Sequence, residues 1–176
     1  MQKHREAVGE DFLVDDEIGY VRIKNFGENT FPEMLSTLAH LHFNGMKSLI
    51  IDLRGNRGGY MHPSIQMANE FLDEDQLIVY TEGSKVKRED YRSNGLGSFK
   101  HLPLVVLVDE MSASSSEIFA GAIQDNDRGT IIGRRSFGKG LVQQPMKFND
   151  GSEVRLTIAR YHTPSGRCIQ KAYEKG

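Results

Sequence analysis

Ser48-Leu49-Ile50-Ile51-Asp52-Leu53-Arg54-Gly55-Asn56-Arg57-Gly58-Gly59 decides how this chain folds. Its first half is a short apolar run without polar alternation. Such a run suits a strand covered on both faces, as in a parallel sheet. Its second half is a glycine-rich turn placed where the strand ends. In an α/β sheet, ligands bind just past the C-terminal ends of the strands. The same segment therefore bears on both the fold and the site.

Two further runs repeat the pattern. Leu104-Val105-Val106-Leu107-Val108 reads as a second buried strand and Thr130-Ile131-Ile132-Gly133 as a third. Helices fall between them. Asn29-Thr30 opens one, with Pro32 in its first turn, Met34, Leu35, Leu38 and Leu41 on one stripe, and Gly45 as a stop. A second helix lies near 63–72. A third runs from Ser114 to Asn126 with Ile118, Phe119, Ala122 and Ile123 inward. Strands alternating with helices predict an α/β layered fold with a partly parallel sheet.

Outward from this centre, Ile18 to Lys24 alternates as a half-buried strand does. Residues 1–16 are polar and read as a loose lead-in to a core spanning 17–176. Leu77–Tyr80 and Lys85–Lys87 predict a hairpin about Glu82-Gly83, and 89–101 a surface loop. Asn149-Asp150-Gly151 marks another hairpin, followed by alternating Val154, Leu156 and Ile158.

Composition excludes several function classes. The 176 residues suit one domain with a sizeable core. A net charge of −2 gives no basic excess to recommend a nucleic-acid partner. The single cysteine, Cys168, excludes an internal disulfide and a multi-cysteine zinc site. His40 and His42 lack a third ligand at suitable spacing, so no metal is expected. No apolar stretch approaches the roughly 18 residues of a membrane span. The charged start, Met1 to Glu6, is followed by no apolar h-region and reads as no signal peptide.

Three segments carry candidate chemistry. The first is the turn ending in Gly58-Gly59, which reads equally as a tight turn or as a donor of main-chain amides to an anion. It matches neither the P-loop nor the dinucleotide-binding glycine pattern. The second is Ser112-Ala113-Ser114-Ser115-Ser116-Glu117, which follows a buried strand and opens a helix. Free N–H groups and the positive end of the helix dipole would favour an oxyanion there. Locally, though, Ser114 to Glu117 is a capping box, and a plain cap is the stronger local reading. The third is Ser136-Phe137-Gly138-Lys139-Gly140. A lysine acts as a base only when neutral, so Lys139 would need a dry site. Gln143 lies four residues on and could hold the amine. Alone, Lys139 reads as a solvated lysine in a glycine-rich turn. No histidine sits in a recognisable triad motif, although His62 and His162 could approach the site.

Together these segments resemble the carboxy-terminal processing peptidases, also called tail-specific proteases. The matching stretches are Ile50–Gly59, Ser112–Ile118, Gln124-Asp125, Phe137–Gln143 and Ala159–Arg167. The likeness runs from about residue 17 to 171. The 25-residue interval from Ser114 to Lys139 (139 − 114) is that family's spacing from nucleophile to base. The resemblance implies a crotonase/Clp-protease-like core of stacked strand-strand-helix units. It implies that Ser114 attacks a peptide carbonyl, Lys139 takes its proton and Gln143 orients Lys139. The amides of Ser115 and of Gly58 or Gly59 would hold the oxyanion, and an acyl-enzyme would form. No cofactor is implied. Protein or peptide substrates and an extracytoplasmic location, periplasm or cell envelope, are.

Two departures stand beside it. The family's PDZ domain has no counterpart here, which predicts that the chain is part of a longer exported protein. Ser115 stands where alanine is commoner, but its amide serves equally. Two other readings compete: a non-catalytic ligand- or peptide-binding module on the same fold, and a crotonase-like enzyme acting on acyl thioesters. In the second of these, Lys139 has no evident task.

Overall fold

The computed structural model describes residues 7–172. Two sheets and three helices form it. The first sheet runs β1 (Val8–Val14), β2 (Ile18–Ile23), β3 (Ser48–Asp52), β6 (Leu104–Val108) and β7 (Thr130–Gly133) in that spatial order. β2, β3, β6 and β7 are parallel, and β1 pairs antiparallel on the edge. The second sheet is antiparallel, in the order β5 (Glu89–Asn94), β4 (Glu74–Glu82), β9 (Glu153–His162) and β8 (Leu141–Lys147). This is the mixed α/β architecture with a partly parallel sheet that the alternating pattern predicts.

The helices cover the parallel sheet because their apolar stripes have the helical period. α1 (Thr30–Phe43) buries Met34, Leu38 and Leu41, at spacings of four and three. The Gly27 N–H donates to Thr30 Oγ1 at 2.8 Å and fixes the turn that leads into the helix. α2 (Met61–Phe71) and α3 (Ser115–Asp125) meet through Phe71 and Phe119, ring centroids 6.1 Å apart and edge to face. The core of β3 and β6 is fully enclosed: Ile51, Leu53 and Val106 expose 0%. Each such side chain contributes about 1.5–3 kcal/mol, and truncating Leu38 to alanine should cost about 2–5 kcal/mol.

Two segments differ from expectation. Residues 8–14, read as loose lead-in, form β1 (Met1 to Glu6 lie outside the described residues). Glu10 and Asp11 hide its signal. The strand is ordered by pairing with β2, by Phe12 stacking on Tyr20 at 4.8 Å, and by Glu33 accepting the N–H groups of Ala7 and Val8. The partner of β4 is likewise not 85–87 but β5, inside the predicted loop. Glu89, Asp90 and Arg92 mark it as a charged edge strand, while the Ser93 hydroxyl bonds the main chain of Asp73 and Gln76.

What positions the site is the parallel direction of β3, β6 and β7. Their C-terminal ends share one border of the sheet, so the three loops that follow them are neighbours. The Ser112 hydroxyl donates to the Leu53 carbonyl at 2.8 Å and the Phe137 N–H to the Ser112 carbonyl at 3.0 Å. All three loops are thus joined through Ser112.

Candidate active site

The glycine turn is held by Asn56, which is fully buried. Its Nδ2 donates to the Ile23 carbonyl at 2.9 Å and its Oδ1 accepts the Gly58 N–H at 2.8 Å. The Gly58 amide is therefore occupied, whereas the Gly59 amide makes no hydrogen bond among the described residues. A Cβ at Gly58 would lie 2.8 Å from Ser114 Cβ and 3.0 Å from the Ser115 nitrogen, so the turn abuts the serine segment without room for a side chain.

Ser114 occupies the corner between β6 and α3 with φ 56° and ψ −112°. A non-glycine residue there carries about 1–3 kcal/mol of strain, which only over-determined surroundings sustain. Comparable strained strand-to-helix corners present a nucleophilic serine in other hydrolases. Its neighbours are committed elsewhere. Ser112 Oγ donates to the Leu53 carbonyl, Ser115 Oγ to the carbonyls of Gly59 and Tyr60 at 3.0 Å, and Ser116 Oγ to the Asn56 carbonyl at 2.9 Å. Among these serines, Ser114 alone donates its hydroxyl to no main-chain carbonyl among the described residues, and it is only half-buried. The Ser115 N–H at the helix start makes no hydrogen bond among the described residues either.

Glu117 locks this corner to the lysine loop. Its Oε2 accepts the N–H of Ser114 at 2.9 Å and of Lys139 at 2.9 Å. Its Oε1 accepts the Ser136 hydroxyl and the Gly138 N–H, both at 2.7 Å. A buried carboxylate is stable when each oxygen is satisfied in this way. The capping box foreseen in the sequence thus has Glu117 accepting from two loops and joining them. Behind it, Lys171 N–H donates to the Gly138 carbonyl at 2.9 Å and Tyr161 N–H to the Gly140 carbonyl at 2.8 Å, which fixes both flanks of Lys139.

The side chains of Lys139 and Gln143 are not brought into this lock. Both residues are exposed, and among the described residues the Lys139 amine bonds neither Ser114 nor Gln143. Gln143 sits in β8 opposite a bulge in β9, where the pairing passes from Val142–Ala159 to Gln143–Thr157. The enclosed, dry lysine expected from the sequence is absent from this state of the molecule. The physical reason is that the lysine loop is anchored through its main chain and the Ser136 hydroxyl, and none of these bonds holds the Lys139 side chain. His62 and His162 do not join the site. His62 lies in the first turn of α2, and His162 stacks on Tyr80 at 4.7 Å with its Nδ1 buried and unpaired among the described residues.

Carboxylates frame the loops. Burial raises the Asp109 pKa, but N–H groups of Gly55, Met111 and Ser112 and the Ser112 hydroxyl hold it below the usual carboxylate range. Asp52 behaves alike: burial is outweighed by the Arg54 guanidinium and the Tyr20 hydroxyl, 2.7 and 2.6 Å away. Asn56, Glu117 and Ser136 were not singled out as functional by sequence reasoning. For Glu117 a signal existed, since its place in the capping box is local; its reach to residues 136–139 is not.

Among the described residues, no cluster of three or more His, Cys, Asp or Glu is placed to hold a metal, and no helix is long and apolar enough to cross a membrane. Comparison with known proteins gives the family. The chain is 39% identical over 162 residues to a carboxyl-terminal-processing protease of Synechocystis sp., covering 92% of this chain and 38% of that protein. It is 38% identical to a chloroplastic C-terminal processing peptidase of Tetradesmus obliquus, over 88% of this chain and 33% of the relative. The solved photosystem II D1 C-terminal processing protease superposes with a TM-score of 0.82 at 38% identity, over 87% of this chain and 39% of that one. These likenesses define the class, the serine-type C-terminal processing proteases. Residues 17–174 match the model of peptidase family S41, and the chain belongs to that family. It spans between 33% and 38% of the length of these curated relatives.

Proposed function

We propose that this chain is the catalytic core of a serine endopeptidase that cleaves near protein C-termini. The observation that carries the reading is the strained Ser114 corner, flanked by two main-chain N–H groups, of Ser115 and Gly59, that bond nothing else among the described residues. Ser114 Oγ attacks the scissile carbonyl carbon as its proton passes to the Lys139 amine. The carbonyl oxygen becomes an oxyanion facing the Ser115 and Gly59 amides. The Gly58 amide is excluded from that task by its bond to Asn56. Lys139 then gives its proton to the leaving amine, the C–N bond breaks, and an acyl-enzyme remains for water to hydrolyse. Gln143 orients Lys139.

Lys139 is exposed in the free chain, and bound polypeptide would cover it. The longer protein to which such a core belongs acts outside the cytoplasm. The separation of Lys139 from Ser114 favours one second reading, a peptide-binding module without catalysis. Incubation with an unfolded protein separates the two. Cleavage should be lost in Ser114→Ala and Lys139→Ala, and should rise with pH between 6 and 9 as an amine base requires. Cleavage surviving both substitutions would overturn the dyad.

A further inference from the structure

One stripe of α3 faces both the lysine loop and the chain that follows β9. It consists of Glu117, Gly121 and Asp125, at intervals of four, which a helix places on one side. Glu117 holds the lysine loop. Gly121 meets Thr163: a Cβ there would lie 2.8 Å from Thr163 Cγ2, so the chain after β9 lies against the helix where a side chain is missing. Asp125 holds the turn beyond it, with a side chain only 5% exposed. One of its oxygens accepts the Ser165 N–H at 3.1 Å and the Ser165 hydroxyl at 2.7 Å, and the other accepts the Arg167 guanidinium. Arg167 also donates to Gln124 Oε1 at 3.1 Å. Burial pushes the Asp125 pKa up, but the Ser165 and Arg167 donors bring it below the usual carboxylate range, so the anchor is charged.

From this anchor the strap of residues 163–171 runs to Lys139. The Thr163 N–H closes on the Arg167 carbonyl at 2.9 Å and the Ile169 N–H on the Tyr161 carbonyl at 3.0 Å. Gln170 and Lys171 then hold the residues on either side of Lys139. Gln170 Oε1 accepts the Gly140 N–H at 3.1 Å, and the Lys171 N–H donates to the Gly138 carbonyl at 2.9 Å. Because the Lys139 side chain is exposed, the place from which it reaches Ser114 is set by its main chain. α3 therefore serves both proposed partners. Its N-terminus carries Ser114, and its last residue, Asp125, pins the strap that borders Lys139.

We propose that Asp125 is a positioning residue for the base: it pins the strap to α3, and the strap holds the Lys139 main chain where the amine can take the Ser114 proton. This rests on the peptidase reading and adds to it a residue that touches no reacting atom. Loss of the anchor leaves the Ser114 corner on Glu117 and loosens the far side of the lysine loop. The deficit therefore falls on the chemical step and spares substrate binding.

The test follows the whole chain by two readouts. Amide hydrogen exchange reports the loop independently of activity. In Asp125→Asn, which keeps the shape and removes the charge, exchange over 136–143 and 163–171 should quicken at least about tenfold while the core strand β6 keeps its protection. Cleavage of an unfolded protein reports the base. In the same variant kcat per folded molecule should fall about tenfold or more, with KM within about twofold of the parent. Arg167→Gln alters only the exposed partner and should lower kcat in the same way where Asp125→Asn does not fold, whereas Arg167→Lys, which keeps the charge, should retain most of the rate. Gln170→Ala acts at the other end of the strap, so its loss combined with that of Asp125→Asn should be smaller than the product of the two. Leu38→Ala, a core truncation in α1, controls for stability alone and should leave kcat of the folded fraction unchanged. Unchanged exchange over 136–143, a kcat loss no greater than that of Leu38→Ala, or losses that multiply overturns the proposal. Absence of cleavage by the unsubstituted chain sinks the peptidase reading instead, and the exchange result then decides by itself whether Asp125 holds the loop.

Discussion

The Lys139 N–H donates to Glu117 Oε2 at 2.9 Å, and the same oxygen accepts the Ser114 N–H at 2.9 Å. The main chains of proposed nucleophile and proposed base are thus held on one carboxylate oxygen, whatever the Lys139 side chain does. Positioning of this kind matters because small misplacements of catalytic groups cost large factors in rate.

Glu117→Gln tests the lock. A carboxamide offers one acceptor oxygen where Glu117 uses two, so at least one buried main-chain N–H loses its partner. Stability should fall by about 1–3 kcal/mol, and cleavage by more than tenfold. An unchanged melting temperature together with unchanged kcat/KM would show that the lock is dispensable.

Strain at Ser114 is separable from its chemistry. Ser114→Ala and Ser114→Gly both remove the hydroxyl and should both be inactive. Only glycine is relaxed at φ 56°. Denaturant titration should find the glycine variant more stable than the alanine variant by about 1 kcal/mol. The opposite order would mean that the corner is not strained.

Two glycines of the same turn should respond differently to alanine. At Gly58 the new Cβ would lie 2.6 Å from the Ala113 carbonyl and 2.8 Å from Ser114 Cβ, so the nucleophile corner must move and cleavage should drop more than tenfold. At Gly55 nothing lies within 4 Å of the new Cβ. Its positive φ of 75° should cost about 1 kcal/mol of stability with cleavage kept. Equal losses of activity would contradict the close packing of Gly58 on Ser114.

Acid should weaken the sheet at Asp52, the C-terminal end of the central strand β3. Burial pushes its pKa up, yet the Arg54 and Tyr20 hydrogen bonds bring it below its ordinary 3.8. A carboxyl depressed in the folded state stabilises fully above its unfolded value, and that contribution is lost as pH falls below about 4 towards the folded value. Asp52→Asn should therefore be less stable than the parent at pH 7, and the gap should narrow below about pH 4. A gap independent of pH would remove the charge from the explanation.

Much of this was legible in the sequence. The runs at Leu49–Leu53, Leu104–Val108 and Thr130–Gly133 gave the parallel strands. The spacing of Met34, Leu38 and Leu41 gave the first helix, and Ser114 with Glu117 gave the cap. These signals are local, because an apolar period reports how one element buries its own face. β1 and β5 escaped for the same reason. Edge strands carry charge, and pairing with a distant neighbour is what orders them.

By itself, then, the sequence determined the layered α/β order and put the three chemical segments after three strand ends. Tertiary structure decided the rest. It gave the Gly58 amide to Asn56 and left that of Gly59 without a partner among the described residues. It turned Glu117 from a cap into a lock over residues 136–139, and it left Lys139 in solvent. Each of these outcomes depends on hydrogen-bond partners or open space supplied by other loops, and such proximity exists only once the parallel strands bring their ends to one border.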